Sequence, residues 1–264
     1  GLSAPSTPMQ GMPEAQDFSL QEIKDLLGAE GTEYLDELES ALRLMKQAKN
    51  LGSVMKLVLS DEARSFIENR FAEIENTDFR DFNLEAVYQN LKSYLPVLLI
   101  LTKKYSSVVA NPPYMTRKNM NVELIKYLNN SYKLFSNEFY SVFAVVQLNL
   151  TQTDGRFSQI SLPAWMFLPS FKDLRIKLID EVSIDSFLHL GRGIFGSDFG
   201  SCSFVAKNEI AGSSSSSKYY RLFKKQGEVN SINTIEENFF KNDYYDLKQH
   251  DLKLIPGRPI AYWV

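Results

Sequence analysis

At 264 residues, 44% hydrophobic and 23% charged, the chain has ordinary globular composition and room for one large domain or two small ones. A formal net charge of −3 argues against a self-sufficient DNA binder, which carries a basic excess, but not against a catalytic piece whose grip on DNA lies elsewhere. Cys202 is the only cysteine, which excludes an internal disulfide or a cysteine metal cluster and fits a reducing, cytosolic setting. There is no signal-peptide pattern, and the longest apolar run, residues 97–101, is too short to span a membrane.

Residues 1–18 are rich in Pro, Ser, Gly and Gln and read as a flexible tail; the chain opens on Gly1 and reads as an excerpt from a longer protein. Ser19-Leu-Gln-Glu22 has capping-box spacing, with Leu20, Ile23 and Leu27 on the apolar side of a short helix that Gly28 ends. Thr32 is placed to cap a second helix carrying Leu35, Leu38, Leu42 and Met45, closed by Gly52. Residues 60–74 and 83–101 predict two more helices. Phe66, Phe71 and Ile74 face the core from the first; Leu84, Val87, Tyr88, Leu91, Leu95 and Leu98 do so from the second, which Pro96 kinks or restarts. Residues 19–104 thus form a helical region without evident chemistry.

The character changes at residues 105–110, Tyr-Ser-Ser-Val-Val-Ala, a short β-branched run that predicts a strand. Asn111-Pro112-Pro113-Tyr114 follows at its mouth, where open α/β sheets bind ligands. Two prolines fix φ and carry no N–H, so they stiffen the loop and leave carbonyls free to accept. Asn111 adds a side-chain carbonyl and Tyr114 a flat π-face. The set suits a planar ring with an exocyclic amine. The Asn111 side chain and the Pro112 carbonyl can take both amine hydrogens, drawing the nitrogen lone pair out of conjugation while Tyr114 stacks on the ring. An amine held so, in line with an electrophilic methyl group, attacks without prior deprotonation.

Residues 122–135 and 138–150 predict helices, the second more buried through Phe139, Val142, Phe143 and Val146. Asp154-Gly155 is a turn signal and residues 157–162 a strand ending at Pro163. Residues 171–179 predict a helix with Leu174 and Leu178 inward and Lys172, Arg175 and Lys177 outward. Residues 184–190 and 203–207 predict strands, joined by the Gly-rich loop Gly191-Arg-Gly-Ile-Phe195-Gly-Ser-Asp-Phe199-Gly200, which lacks the helix and lysine of a P-loop. Gly followed by five serines at 212–217 reads as a flexible link. Beyond it Lys218, Arg221, Lys224 and Lys225 alternate with Tyr219, Tyr220 and Phe223. Such a run can contact a nucleic-acid backbone, but an edge strand with a solvated face is the preferred reading. His189 in an apolar strand reads as a core or edge histidine, His250 as isolated, and Cys202 as a small core residue; no metal-ligand spacing occurs.

Val-Val-Ala-Asn-Pro-Pro-Tyr, with the strand before it and the order of elements after it, resembles the catalytic segment of S-adenosylmethionine-dependent adenine-specific DNA methyltransferases. The closing Leu254-Ile-Pro-Gly-Arg-Pro-Ile-Ala-Tyr-Trp-Val264 and the short Leu51-Gly-Ser53 stretch resemble the large BREX-type phage-defence members. The resemblance covers roughly residues 105–210 and 255–264. It implies an α/β fold, a partial Rossmann-like methyltransferase sheet that is mixed and ends in an antiparallel hairpin, preceded by the helical region. It further implies S-adenosylmethionine as cofactor, double-stranded DNA as partner, a bacterial cytoplasmic setting, and a role in restriction-modification or phage defence. Asn111, Pro112, Pro113 and Tyr114 become the catalytic loop, with Phe195 first and Phe199 second as the ring covering the other face of a flipped adenine. Alternatively, one of these phenylalanines simply plugs the hairpin.

The family's Gly-rich donor-binding turn has no counterpart here, since Gly28 and Gly31 sit between helices, so cofactor-binding residues are unassigned and the fragment is expected to bind S-adenosylmethionine weakly. The expected organisation is a tail at 1–18, a helical region at 19–104, the C-terminal half of a catalytic domain at 105–210, and a lead-in to a target-recognition domain at 211–264. The strand before Asn111 would lie at a sheet edge, which predicts self-association. Two other functions use the same residues: methylation of a protein glutamine amide, and a non-catalytic interaction module with a methyltransferase-like half-fold.

Overall fold

The computed structural model of the protein describes residues 19–76, 82–195, 199–225 and 227–263. The tail expected at 1–18, residues 196–198 of the Gly-rich loop, Val264 and the side chain of Leu84 lie outside the described residues. The chain divides into two compact units, Gly1–Lys103 and Lys104–Val264.

The first unit is helical. Helix α1 (Leu20–Leu27) begins with the Ser19/Glu22 capping box, buries Ile23, Leu26 and Leu27, and ends at Gly28 with φ 70°. A 3-10 turn, Ala29–Tyr34, leads into α2 (Leu35–Met45). Thr32 does not cap α2: its hydroxyl donates back to the Ala29 carbonyl at 3.0 Å, because the 3-10 turn delays the helix to Leu35. Helix α3 (Ala48–Leu51) closes at Gly52. Helix α4 (Asp61–Glu75) is capped by Ser60, whose own N–H and hydroxyl donate to Glu37 of α2 at 2.6 and 3.0 Å. Ile67 and Ile74 bury fully, while Phe66 and Phe71 are half-buried. Helix α5 (Phe82–Leu91) stops and α6 (Leu95–Thr102) restarts with Pro96 in its first turn, where a missing N–H costs nothing.

The second unit is a mixed α/β structure. Strand β1 (Tyr105–Ala110) is followed by α7 (Val122–Ser131), α8 (Phe139–Leu150), β2 (Thr151–Ser161) and α9 (Lys172–Glu181). Strands β3 (Ser183–Arg192) and β4 (Gly200–Lys207) form the hairpin; β5 (Ser216–Arg221), α10 (Ile232–Phe240), β6 (Tyr245–Lys248) and α11 (Gln249–Leu252) complete the unit. The six strands lie in the order β1-β2-β4-β3-β5-β6. β1 pairs parallel with β2 and β3 with β5, whereas β4 and β6 run antiparallel to their neighbours. The carboxyl ends of β1, β2, β3 and β5 therefore share one edge of the sheet. β1 is a terminal strand, with Val109 78% exposed.

The core lies on the face where Tyr140, Phe157, Trp165, Phe187, Phe204, Tyr219 and Tyr262 pack. Leu190, Tyr220, Leu222 and Ile235 form a second, smaller cluster. Adjacent Tyr219 and Tyr220 enter different clusters because successive strand side chains point to opposite faces. Each such fully buried side chain contributes about 1.5–3 kcal/mol.

Four further expectations are corrected. Asp154-Gly155 is no turn between elements but a bulge within β2. Tyr105 pairs with Thr151 and Ser107 with Arg156, Asp154 adopts φ 63°, and its N–H donates to the Asn208 carbonyl at 3.2 Å. Arg175 points inward and is 2% exposed, because three backbone carbonyls satisfy its guanidinium. The serine run is not wholly a link: Ser216 and Ser217 belong to β5, and Ser217 is buried. Finally, β5 is not an edge strand, since β6 adds outside it. The C-terminal segment also packs onto this unit. Ile260 and Tyr262 lie in the main core, and Arg258 and Lys253 pair with Asp180 of α9 at 2.5 and 3.0 Å.

Candidate active site

β1 delivers Asn111 to the shared carboxyl edge. Asn111 is exposed, Pro112 buried, Pro113 exposed and Tyr114 half-buried against the main core. The Tyr114 hydroxyl donates to Asn111 Oδ1 at 3.3 Å, so the tyrosine holds the amide oxygen while leaving its second lone pair for another donor. Among the described residues the Pro112 carbonyl accepts no hydrogen bond. Burial raises the Tyr114 phenol above its ordinary pKa, with a smaller contribution from Cys202, and keeps it a neutral donor.

Support for the loop comes from α8, through residues whose sequence context is unremarkable. Gln147 donates to the Ser158 carbonyl at 2.7 Å and the Val108 carbonyl at 3.4 Å, bridging β2 and β1 two residues before Ala110. Gln159 donates to the Tyr140 carbonyl at 3.0 Å. After the loop, the Phe139 N–H donates to the Met115 carbonyl at 3.1 Å, and Thr116 bridges Glu138. A glutamine in an otherwise apolar helix stretch was the available signal for Gln147.

The Gly-rich loop brings Phe199 to this site. Its ring lies 5.9 Å from Tyr114, nearly perpendicular at 86°. Phe195 is 48% exposed and Phe199 45%, and among the described residues no ring packs on Phe195.

Other polar residues have quieter roles. His189 Nδ1 lies 3.0 Å from the Tyr262 hydroxyl; burial, aided by Arg221, depresses its pKa to about 4, so it is neutral near pH 7. Burial pushes the Cys202 thiol up to about 12, which leaves it a core residue rather than a nucleophile. Among the described residues no helix is long and apolar enough to cross a membrane.

Fold and site together define an α/β protein whose acceptor-rich loop stands at the carboxyl edge of a mixed sheet. Residues 28–195 match the Eco57I restriction-modification methylase family, and the chain belongs to it. It is 32% identical over 233 residues to the adenine-specific methyltransferase BrxX of Escherichia coli O9:H4 strain HS, covering 86% of this chain and 19% of that protein. It is 29% identical over 254 residues to the adenine-specific methyltransferase PglX of Lacticaseibacillus casei strain Zhang, covering 92% and 21%. The chain thus spans about a fifth of the length of these relatives. Among solved structures, the type IIG restriction endonuclease BpuSI is similar at 14% identity and a TM-score of 0.44, over 95% of this chain and 33% of that one.

Proposed function

We propose that the protein to which this chain belongs transfers a methyl group from S-adenosylmethionine to the exocyclic amine of an adenine flipped out of duplex DNA, in restriction-modification or phage defence. The observation that carries the reading is the Asn111–Tyr114 hydrogen bond at the end of β1 beside an unengaged Pro112 carbonyl, in a chain of the Eco57I methylase family. Asn111 Oδ1 and the Pro112 carbonyl accept the two amine hydrogens, Tyr114 stacks on the base, and Pro113 stiffens the loop. An amine held so keeps its lone pair on nitrogen and out of the ring, where it would accept a methyl group from the donor. S-adenosylmethionine supplies the electrophilic methyl when bound; this chain's residues orient the amine and hold its hydrogens. Relatives named adenine-specific methyltransferases support adenine over a glutamine amide. In this reading residues 105–210 carry the amine side of the site and 211–264 lead toward target recognition.

Phe199 is the ring that the geometry favours for the second face of the base, and Phe195 the alternative. In the full-length protein, Asn111→Ala should abolish methylation of duplex DNA with the thermal transition preserved. Phe199→Ala should weaken methylation more than Phe195→Ala. Full activity in Asn111→Ala would remove the assignment.

A further inference from the structure

We infer that the cleft beyond the carboxyl ends of β3 and β5 seats a phosphodiester and one unpaired base of the strand carrying the target adenine, with Arg221 on the phosphate and Trp263 and Phe167 against the base. This rests on the proposed reading of the Asn111 site and extends it to a second contact on the same sheet edge.

The cleft measures about 610 Å³, ample for one nucleotide. It starts where the candidate site ends: Gly200, which lines it, directly follows Phe199, whose ring lies against Tyr114. Opposite Gly200 stands Pro163, at the end of β2. A strand with its adenine on Tyr114 therefore meets the cleft next.

Charge and aromatic surface coincide there. Arg221 is exposed, and its guanidinium lies 4.8 Å over the Phe223 ring, which holds the planar fork at the cleft wall. Arg192 adds a second guanidinium, braced by donation to the Gly227 carbonyl at 2.7 Å. Glu228 is the acid at the same rim, its carboxylate accepting the Lys225 N–H at 3.3 Å. Among the described lining residues His189 is neutral and Arg221 presents its guanidinium to the cleft. At its mouth the Phe167 and Trp263 rings lie 5.5 Å apart, 37% and 43% exposed. Aromatic faces beside a basic groove are how single strands are held without sequence preference, since every base has a π-face.

The test uses this chain and a thymidine hexanucleotide, which lacks an exocyclic amine and so does not need the Asn111 site. The chain has two tryptophans; Trp165 is 1% exposed, so Trp263 reports on the cleft. Binding at low salt should quench Trp263 emission. Arg221→Ala should weaken affinity about tenfold and lower the salt slope by about 0.7, the share of one single-strand phosphate. Trp263→Phe, followed by anisotropy of a labelled oligonucleotide, should weaken binding about fivefold. Lys126→Ala, an exposed charge on α7, and Asn111→Ala should both bind as the wild type does. Equal affinity in Arg221→Ala and Lys126→Ala overturns the proposal. So does a hexanucleotide that binds no tighter than thymidine monophosphate or inorganic phosphate, which would mark a small-anion site. Loss of methylation in Asn111→Ala with oligonucleotide binding intact would separate the two sites.

Discussion

Arg175 is the clearest lever on this structure. Its guanidinium, buried on α9, donates to the Trp165 carbonyl at 2.7 Å, the Leu168 carbonyl at 2.8 Å and the Gly257 carbonyl at 3.0 and 3.2 Å. One side chain thus ties the segment after β2 to the C-terminal segment 82 residues away. Burial lowers its pKa, yet a guanidinium starts so high that it stays charged. Arg175→Met keeps the length and removes every donor, leaving the Trp165 and Gly257 carbonyls without partners, while the Leu168 carbonyl still accepts the Phe171 N–H at 3.1 Å; the Trp165 bond is the fully buried one. Each such group costs about 1–3 kcal/mol, and water can rescue the one nearer the surface, so about 2–4 kcal/mol is expected in all. For a unit of this size that lowers Tm by about 4–16 °C. Arg175→Lys keeps the charge but loses the planar fork and should fall between. Thermal unfolding followed by circular dichroism reads all three proteins. An Arg175→Met variant melting within about 2 °C of wild type would refute the reasoning.

Three further outcomes concern His189, Gly193 and β1. His189 has a folded pKa near 4 against about 6.5 unfolded, so the unfolded state takes up the proton first as pH falls. Stability should be intact above pH 6.5 and about 2 kcal/mol lower from this group at pH 5; urea unfolding of wild type and His189→Gln at both values should show that portion vanish in the variant. Gly193→Ala should cost about 2 kcal/mol or more, since Gly193 has φ 108° and a Cβ would lie 2.2 Å from the Asn230 carbonyl oxygen; an unchanged urea midpoint would contradict this. Because β1 is the terminal strand of the sheet, we propose that the chain self-associates as concentration rises, and light scattering showing a monomer throughout would exclude it.

The amino-acid sequence alone determined what depends on neighbours in the chain. The Ser19–Glu22 box, the stop at Gly28 and the restart at Pro96 each follow from one backbone constraint and its nearest hydrogen bonds. β1 could likewise be read from its β-branched run and the two prolines after it, and the β3–β4 hairpin from apolar strands around a Gly-rich loop. Only the tertiary structure decided which way Arg175 points, because the carbonyls that satisfy it come from residues 165, 168 and 257. It alone enrolled the last two serines of the run and the polar β6 in the sheet, where ladder hydrogen bonds rather than side-chain pattern carry the pairing. It also set the Phe199 ring against Tyr114, where the sequence put Phe195 first, because the path of the loop and not its composition decides which of the two rings meets the tyrosine.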